Sequence, residues 1–361
     1  MKPHPDQTAK GLELANLAAF YRDLPKVELH VHMEGAMSAK TLFDLAKKNG
    51  VELPVDNIDQ LSDWFEFVDF PHFAEVYETA SSVLQDAGDI ELLARQFVAS
   101  QAADSIIYSE VTYTALTQLR VSRIPIEEQL AALSAAKAWG EQKYGVSFRV
   151  ITDFARHDTT PEEAIAYVKA LLNYPSRDIL AGFGIGGFEP GFPPEMFAES
   201  FAIASSDGLQ PVVHAGETGS AAYVLSAAEV LGARRIGHGI RAIDDPAVLR
   251  RAVELGVTFE LCPTSNLRLG IIPSYSKLPL RELNAVGAKL TLNSDDPTMF
   301  GTTLSNEYAV IQQEFDLSPA DLKAVNIQAA HSAILGEAER VQIERQLLEA
   351  WVNVETPSQV S

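Results

Sequence analysis

A chain of 361 residues, 47% hydrophobic and 21% charged, has ordinary globular composition and ample material for a core. Its formal charge of −21 repels phosphate backbones and anionic membranes, which argues against nucleic acid and membrane partners and for a small neutral or cationic ligand in a pocket. No apolar run approaches the roughly 18 residues that a bilayer span needs.

The first residues include Lys2, Asp6, Lys10, Glu13, Arg22 and Asp23 and no long apolar stretch of a signal peptide. With Cys262 as the only cysteine, no internal disulfide can form, and a reducing cytoplasm is the expected setting. The first β-rich run, 26–32, ends in His30-Val31-His32. Alternation along a strand points residues i and i+2 to one face, so the two imidazoles can grip one ion together.

Residues 38–104 are far more than one crossover needs. Helices are expected at 38–49, 72–86 and 89–104, with the aromatic run Trp64–Phe70 between the first two. We read this insertion as a lid over an apolar pocket, with Trp64 and Phe67 as its expected substrate contacts. An alternative role for the run is packing the inserted helices on each other. Further β-rich runs follow at 106–114, 146–154, 179–187, 210–217, 234–240, 257–263 and 289–295. Helical stretches at 126–143, 161–173, 193–206, 220–231 and 245–255 separate most of them, and helices near 305–315, 318–333 and 336–350 form a tail. Eight strands alternating with helices imply a parallel sheet and, at this length, an α/β fold of the (β/α)8 TIM barrel type occupying 1–361 as one domain.

Such a barrel brings the C-terminal ends of its strands together. His30, His32, His214, Glu217, His238, Asp295 and Asp296 all fall at such ends, including four of the eight histidines. Imidazole and carboxylate are the ligands a borderline cation prefers. His30, His32, His214 and Asp295 are therefore the expected ligands of one zinc ion, which would lower the pKa of its water towards about 7. The glycine-rich end of the fourth strand, Gly184-Ile185-Gly186-Gly187, offers no bridging carboxylate or lysine for a second metal. It suits the close approach of a flat ligand to the backbone instead. Removing an amine from an aromatic ring by hydrolysis requires an acid at a ring nitrogen, and Glu217 is placed for it. A helix N-terminal carboxylate is the other role open to Glu217. His238 would orient or deprotonate the water, and Asp296 would hydrogen-bond water or ligand.

The ordered motifs resemble the adenosine deaminase family: His-Val-His-Met-Glu-Gly-Ala at 30–36, Phe-Gly-Ile-Gly-Gly-Phe-Glu at 183–189, His-Ala-Gly-Glu-Thr at 214–218, Arg-Ile-Gly-His-Gly at 235–239, Cys-Pro-Thr-Ser-Asn at 262–266 and Leu-Asn-Ser-Asp-Asp-Pro at 292–297. The resemblance implies a barrel with one zinc on residues 30, 32, 214 and 295. It implies hydrolysis of a purine nucleoside 6-amino group to a 6-oxo group and ammonia. Glu217 would then meet N1, Asp296 N7, and the Gly187 N–H N3.

The departures concern the substrate. Typical adenosine deaminases carry Asp where this chain has Glu34, a residue that contacts ribose in that family. A Glu there is similar to adenine deaminases and to aminodeoxyfutalosine deaminases. Gly237 and Gly187-Phe188-Glu189 depart from adenine deaminases, which usually carry Asp and Ser-Ser-Glu at those places. The expectation is therefore a purine nucleoside substrate, with aminodeoxyfutalosine and then adenine as alternatives. Arg120, Arg123 and Arg156 are candidates to meet an aryl carboxylate. His72, His157 and Cys262 receive no role, and the oligomeric state is not legible.

Overall fold

The computed structural model describes residues 5–175, 177–352 and 354. A helix, α1 (Pro5–Arg22), leads into β1 (Lys26–His32). The inserted segment then forms α2 (Ala39–Asn49), the short α3 (Leu61–Trp64), α4 (Phe70–Ser81) and α5 (Ala87–Ala103). Seven more strands follow: β2 (Ile106–Tyr113), β3 (Ser147–Thr152), β4 (Leu180–Ile185), β5 (Gln210–His214), β6 (Arg235–Gly237), β7 (Thr258–Leu261) and β8 (Lys289–Leu292).

All neighbouring pairs run parallel in the order β1 to β8. A bridge between Val31 and Asp295 joins the first and last strands. That seam uses the expected ligand residues themselves: the His32 N–H donates to the Asp295 carbonyl (2.7 Å) and the Asp295 N–H to that of His30 (3.1 Å). The molecule is a (β/α)8 barrel with helices around it.

The barrel interior is charged as well as apolar. Arg235 lies between Glu110 and Glu260, all three buried, and Glu28 accepts from the Ser294 N–H and hydroxyl. Each charge is satisfied inside the barrel, as burial demands.

The strands stop earlier than their β-rich runs, at Tyr113, Thr152, Ile185 and His214, and the residues beyond turn across the rim. One helix boundary matters for the site. The Asp69 side chain accepts from the His72 N–H (2.9 Å) and Pro71 occupies the first turn, so α4 begins at Phe70 and not at 72. Among the described residues, no helix is long and apolar enough to cross a membrane.

Candidate active site

The ends of β1, β5 and β8 aim their imidazoles and one carboxylate at a common point. His32 Nε2 lies 3.3 Å from His214 Nε2 and 3.3 Å from Asp295 Oδ1, and His30 Nε2 lies 3.5 Å from the same oxygen. The outer ring nitrogens are tied back. His30 Nδ1 donates to Glu260 Oε2 (2.9 Å) and His214 Nδ1 to the Ile185 carbonyl (3.1 Å). Each Nδ1 is held as a donor away from the centre, so each Nε2 points into it. His30 Nε2 is buried without a hydrogen-bond partner.

Electrostatics favour a cation at that point. Burial holds His32 down to about 4 and His214 well below its ordinary value, so both are neutral. Burial also disfavours charge on His30, but the Asp295 and Glu260 carboxylates outweigh it and push its pKa up to about 10. The carboxylates that would hold a proton there would equally hold a metal ion. An orphaned Nε2 and a set of three imidazoles and one carboxylate fit a divalent ion.

Around this centre stand the residues suited to move protons. Glu217 is buried, and one of its oxygens lacks a partner and sits 3.7 Å from His238 Nε2. Burial, then the charges of Asp295 and Glu189, push its carboxyl well above the usual range. It lines the pocket, where a raised carboxyl favours the acid form that can donate. His238 receives a 3.2 Å bond at Nδ1 from the Asn266 amide, which puts the ring proton on Nε2, and burial lowers its pKa to about 3. His238 and Asp295 both adopt left-handed backbone, φ 59° and 64°, a strain that clusters at functional sites. Burial and the Asp295 charge likewise push the Asp296 carboxyl well above its usual range. Gly35 makes room for Asp296: a Cβ at Gly35 would stand 1.8 Å from Asp296 Oδ1.

The pocket over this centre is lined on one side by His32, His214, Glu217, His238, Asp295 and Asp296. Gly187, at φ 80°, also lines it; a Cβ there would lie 2.6 Å from His157 Nδ1. The lid contributes Phe70, Phe73 and Tyr77, which share one face of α4.

Three expected contacts fall elsewhere. Trp64 stacks on Phe65, and Phe67 packs against Phe73 and Phe300, so both sit behind the wall. Glu34 is covered: Tyr77 Oη and the Thr114 N–H donate to its carboxylate at 3.1 and 3.2 Å. The arginines do not serve the pocket either. Arg156 is buried against the carbonyls of Ile185, Gly186 and His214, and Arg120 pairs with Asp158 and Glu163. Among the described residues no lysine or arginine lines the pocket. His157, given no role from the sequence, does line it, and its Nδ1 accepts from the Phe188 N–H (3.3 Å).

Three supporting carboxylates were not anticipated. Glu260 holds His30. Glu189 accepts from the backbone N–H groups of Gly216 (2.8 Å), Glu217 (2.8 Å) and Thr218 (3.0 Å), pinning the loop that carries Glu217. Asp153 lines the pocket. Of these only Glu260 left a readable signal, a charge inside the short buried strand Thr-Phe-Glu-Leu.

The family model for adenosine deaminase matches residues 25–350. The chain belongs to the adenosine deaminase family. An adenine deaminase from Rhodospirillum rubrum is 33% identical over 330 residues, 91% of this chain and 97% of that protein. The crystal structure of an adenine deaminase from Arthrobacter aurescens superposes with a TM-score of 0.87 at 30% identity, covering 92% of this chain and all of that one. A zinc-bound amidohydrolase from Burkholderia ambifaria gives 0.86 at 26% identity, with 92% of each chain covered. The chain is thus a hydrolase of a family that deaminates small purines.

Proposed function

We propose that this enzyme is a zinc-dependent aminohydrolase that converts the 6-amino group of a purine to a 6-oxo group with release of ammonia, and that its substrate is the free base adenine. The observation that carries the reaction class is the buried Glu217 carboxyl, raised above its ordinary range and with one oxygen unpartnered, beside the cluster of three imidazoles and Asp295. His30, His32, His214 and Asp295 would hold one zinc ion per chain, which supplies water activated at neutral pH.

The side chains do the rest. Glu217 donates its proton to N1 as the water oxygen bonds to C6, so the ring loses its aromatic resistance to attack. His238 Nε2–H stabilises charge on the attacking oxygen. Asp296, protonated, donates to N7, and the Gly187 N–H binds the opposite edge. One proton of the water passes to the exocyclic nitrogen, the C6–N bond breaks and ammonia leaves, and the water's second proton returns Glu217 to its acid form, leaving the 6-oxo group.

The substrate reading differs from the nucleoside expectation for two reasons. Relatives 33–34% identical over more than nine-tenths of the chain are named adenine deaminases. A pocket wall without lysine or arginine gives no partner to the phosphate of AMP or to the carboxylate of aminodeoxyfutalosine.

The test is spectrophotometric turnover of adenine, adenosine, deoxyadenosine, AMP and aminodeoxyfutalosine, compared by kcat/KM. Adenine is expected to lead, with the two anionic compounds last. A leading kcat/KM for adenosine would return the substrate to the nucleoside class, and turnover of none of the five would remove the function.

A further inference from the structure

Asp153 is a carboxylate on the pocket wall that the chemistry above does not use. It follows β3 directly, is 4% exposed, and belongs to the pocket lining. Its Oδ1 accepts a 2.8 Å bond from Thr114 Oγ1. Oδ2 stands 3.0 Å from where a Cβ on Gly186 would be, so glycine at that position leaves the second oxygen uncovered. A carboxylate in the pocket lining, opposite a residue without a side chain, is an acceptor that a ligand N–H can meet.

The barrel fixes what that ligand atom is. Residues after β5, β6, β8 and β1 surround the reacting carbon, as described above. The remaining arc is built from the ends of β2, β3 and β4 and supplies Thr114, Thr117, Asp153, Ala155, His157 and the two glycines. In a 6-aminopurine the edge remote from C6 carries N3 and N9, so a ring with C6 on the first arc presents that edge to the second. Asp153 is the one carboxylate on this arc, which holds no lysine or arginine among the described residues. Glu34, joined to it through Thr114, stands just behind. In the free base the remote imidazole nitrogen bears a proton and donates. In a nucleoside or an N-alkylated purine it donates nothing, and the carboxylate gains no bond from the ligand beyond the one it already accepts from Thr114.

We propose that Asp153 is a specificity-determining residue that accepts a hydrogen bond from the remote edge of the substrate ring, selecting a heterocycle with N–H at that edge over one substituted there. The inference rests on the purine reading above and names which purine edge the site inspects. It also gives the acidic wall a purpose: an anionic substituent on that edge would meet the Asp153 carboxylate.

Adenine and 9-methyladenine differ only at this nitrogen. Calorimetric binding and turnover of both are measured on the metal-loaded wild type, on D153A, and on D153N, which is nearly isosteric and retains a partner for Thr114. The wild type should favour adenine by about 100-fold or more in both readouts, because a site built to receive an N–H rejects the analogue that lacks it. Both variants should bring that ratio to within about threefold, chiefly by losing adenine, with metal content unchanged. A wild-type ratio near one, or a ratio that survives in both variants, overturns the proposal. If adenine binds selectively and D153N abolishes the selectivity while neither compound is deaminated, Asp153 keeps its role and the aminohydrolase reading falls. If neither compound binds, both fall.

Discussion

The rim of the barrel and the lid above it close the same pocket by different means. On the rim, four candidates for chemistry are gripped by a second buried group: His30 by Glu260, His214 by the Ile185 carbonyl, His238 by Asn266, and the Glu217 loop by Glu189. On the lid, position comes from rings on rings. Phe67 meets Phe73 and Phe300, Phe70 meets Phe188, and Phe73 meets Tyr77. Hydrogen bonds fix an atom's direction, whereas aromatic packing fixes shape and tolerates rotation. Proton transfer therefore belongs to the rim and the choice of ligand size to the lid.

The sharpest way to break this division is on the rim. Glu217→Gln should lower kcat by about 10²–10⁴-fold, the usual worth of a general acid, with unchanged zinc by elemental analysis. Retained activity would take the acid role from Glu217. Next comes the support behind the proposed metal ligands. Glu260→Gln should weaken metal affinity by about 10–100-fold, read as the chelator concentration that halves activity. An unchanged chelator midpoint would mean that His30 is oriented without Glu260.

Glu189 tests whether a residue that never touches the pocket can set its chemistry. Glu189→Gln loses at least one of three backbone acceptor bonds and should lower kcat by about tenfold or more through misplacement of Glu217. The sign of the pH effect follows from charge. Glu189 is one of the charges holding the Glu217 carboxyl above its ordinary value, so removing it lowers that pKa. The alkaline limb of kcat/KM should then move to lower pH, because the acid loses its proton sooner. A limb that stays in place, with kcat reduced, would leave Glu189 a purely mechanical role.

These residues also mark what could be read from the sequence. The rim was legible because a strand has period two and a parallel barrel gathers its strand ends: His30, His32, His214, His238 and Asp295 needed no further information. Glu189 was not, since its meaning depends on one loop meeting another 27 residues away. Asp153 was hidden in the run Val-Ile-Thr-Asp-Phe-Ala, where its direction depends on β3 ending at Thr152. The inward rings of the lid were not legible for a similar reason. Its aromatic character was plain, but which rings face inward is set by where α4 begins, and the Asp69 cap moves that start to Phe70.

The smallest expected effects lie on the lid and separate its two layers. Phe73 lines the pocket and touches Tyr77, whereas Trp64 is one ring removed, stacked on Phe65. Phe73→Ala should raise KM for adenine by about tenfold, in keeping with about 1–3 kcal/mol for lost apolar contact at a ligand, while kcat changes less. Trp64→Ala removes packing behind the wall and should change KM by no more than about threefold. Folding of both variants is checked by thermal melting, because Phe73 also supports Phe67 and Phe300. An equal rise in KM for the two would mean that the lid acts as one rigid aromatic plate. A fall in kcat with KM unchanged in Phe73→Ala would mean that lid packing reaches the proton-transfer geometry, and the division between rim and lid would no longer stand.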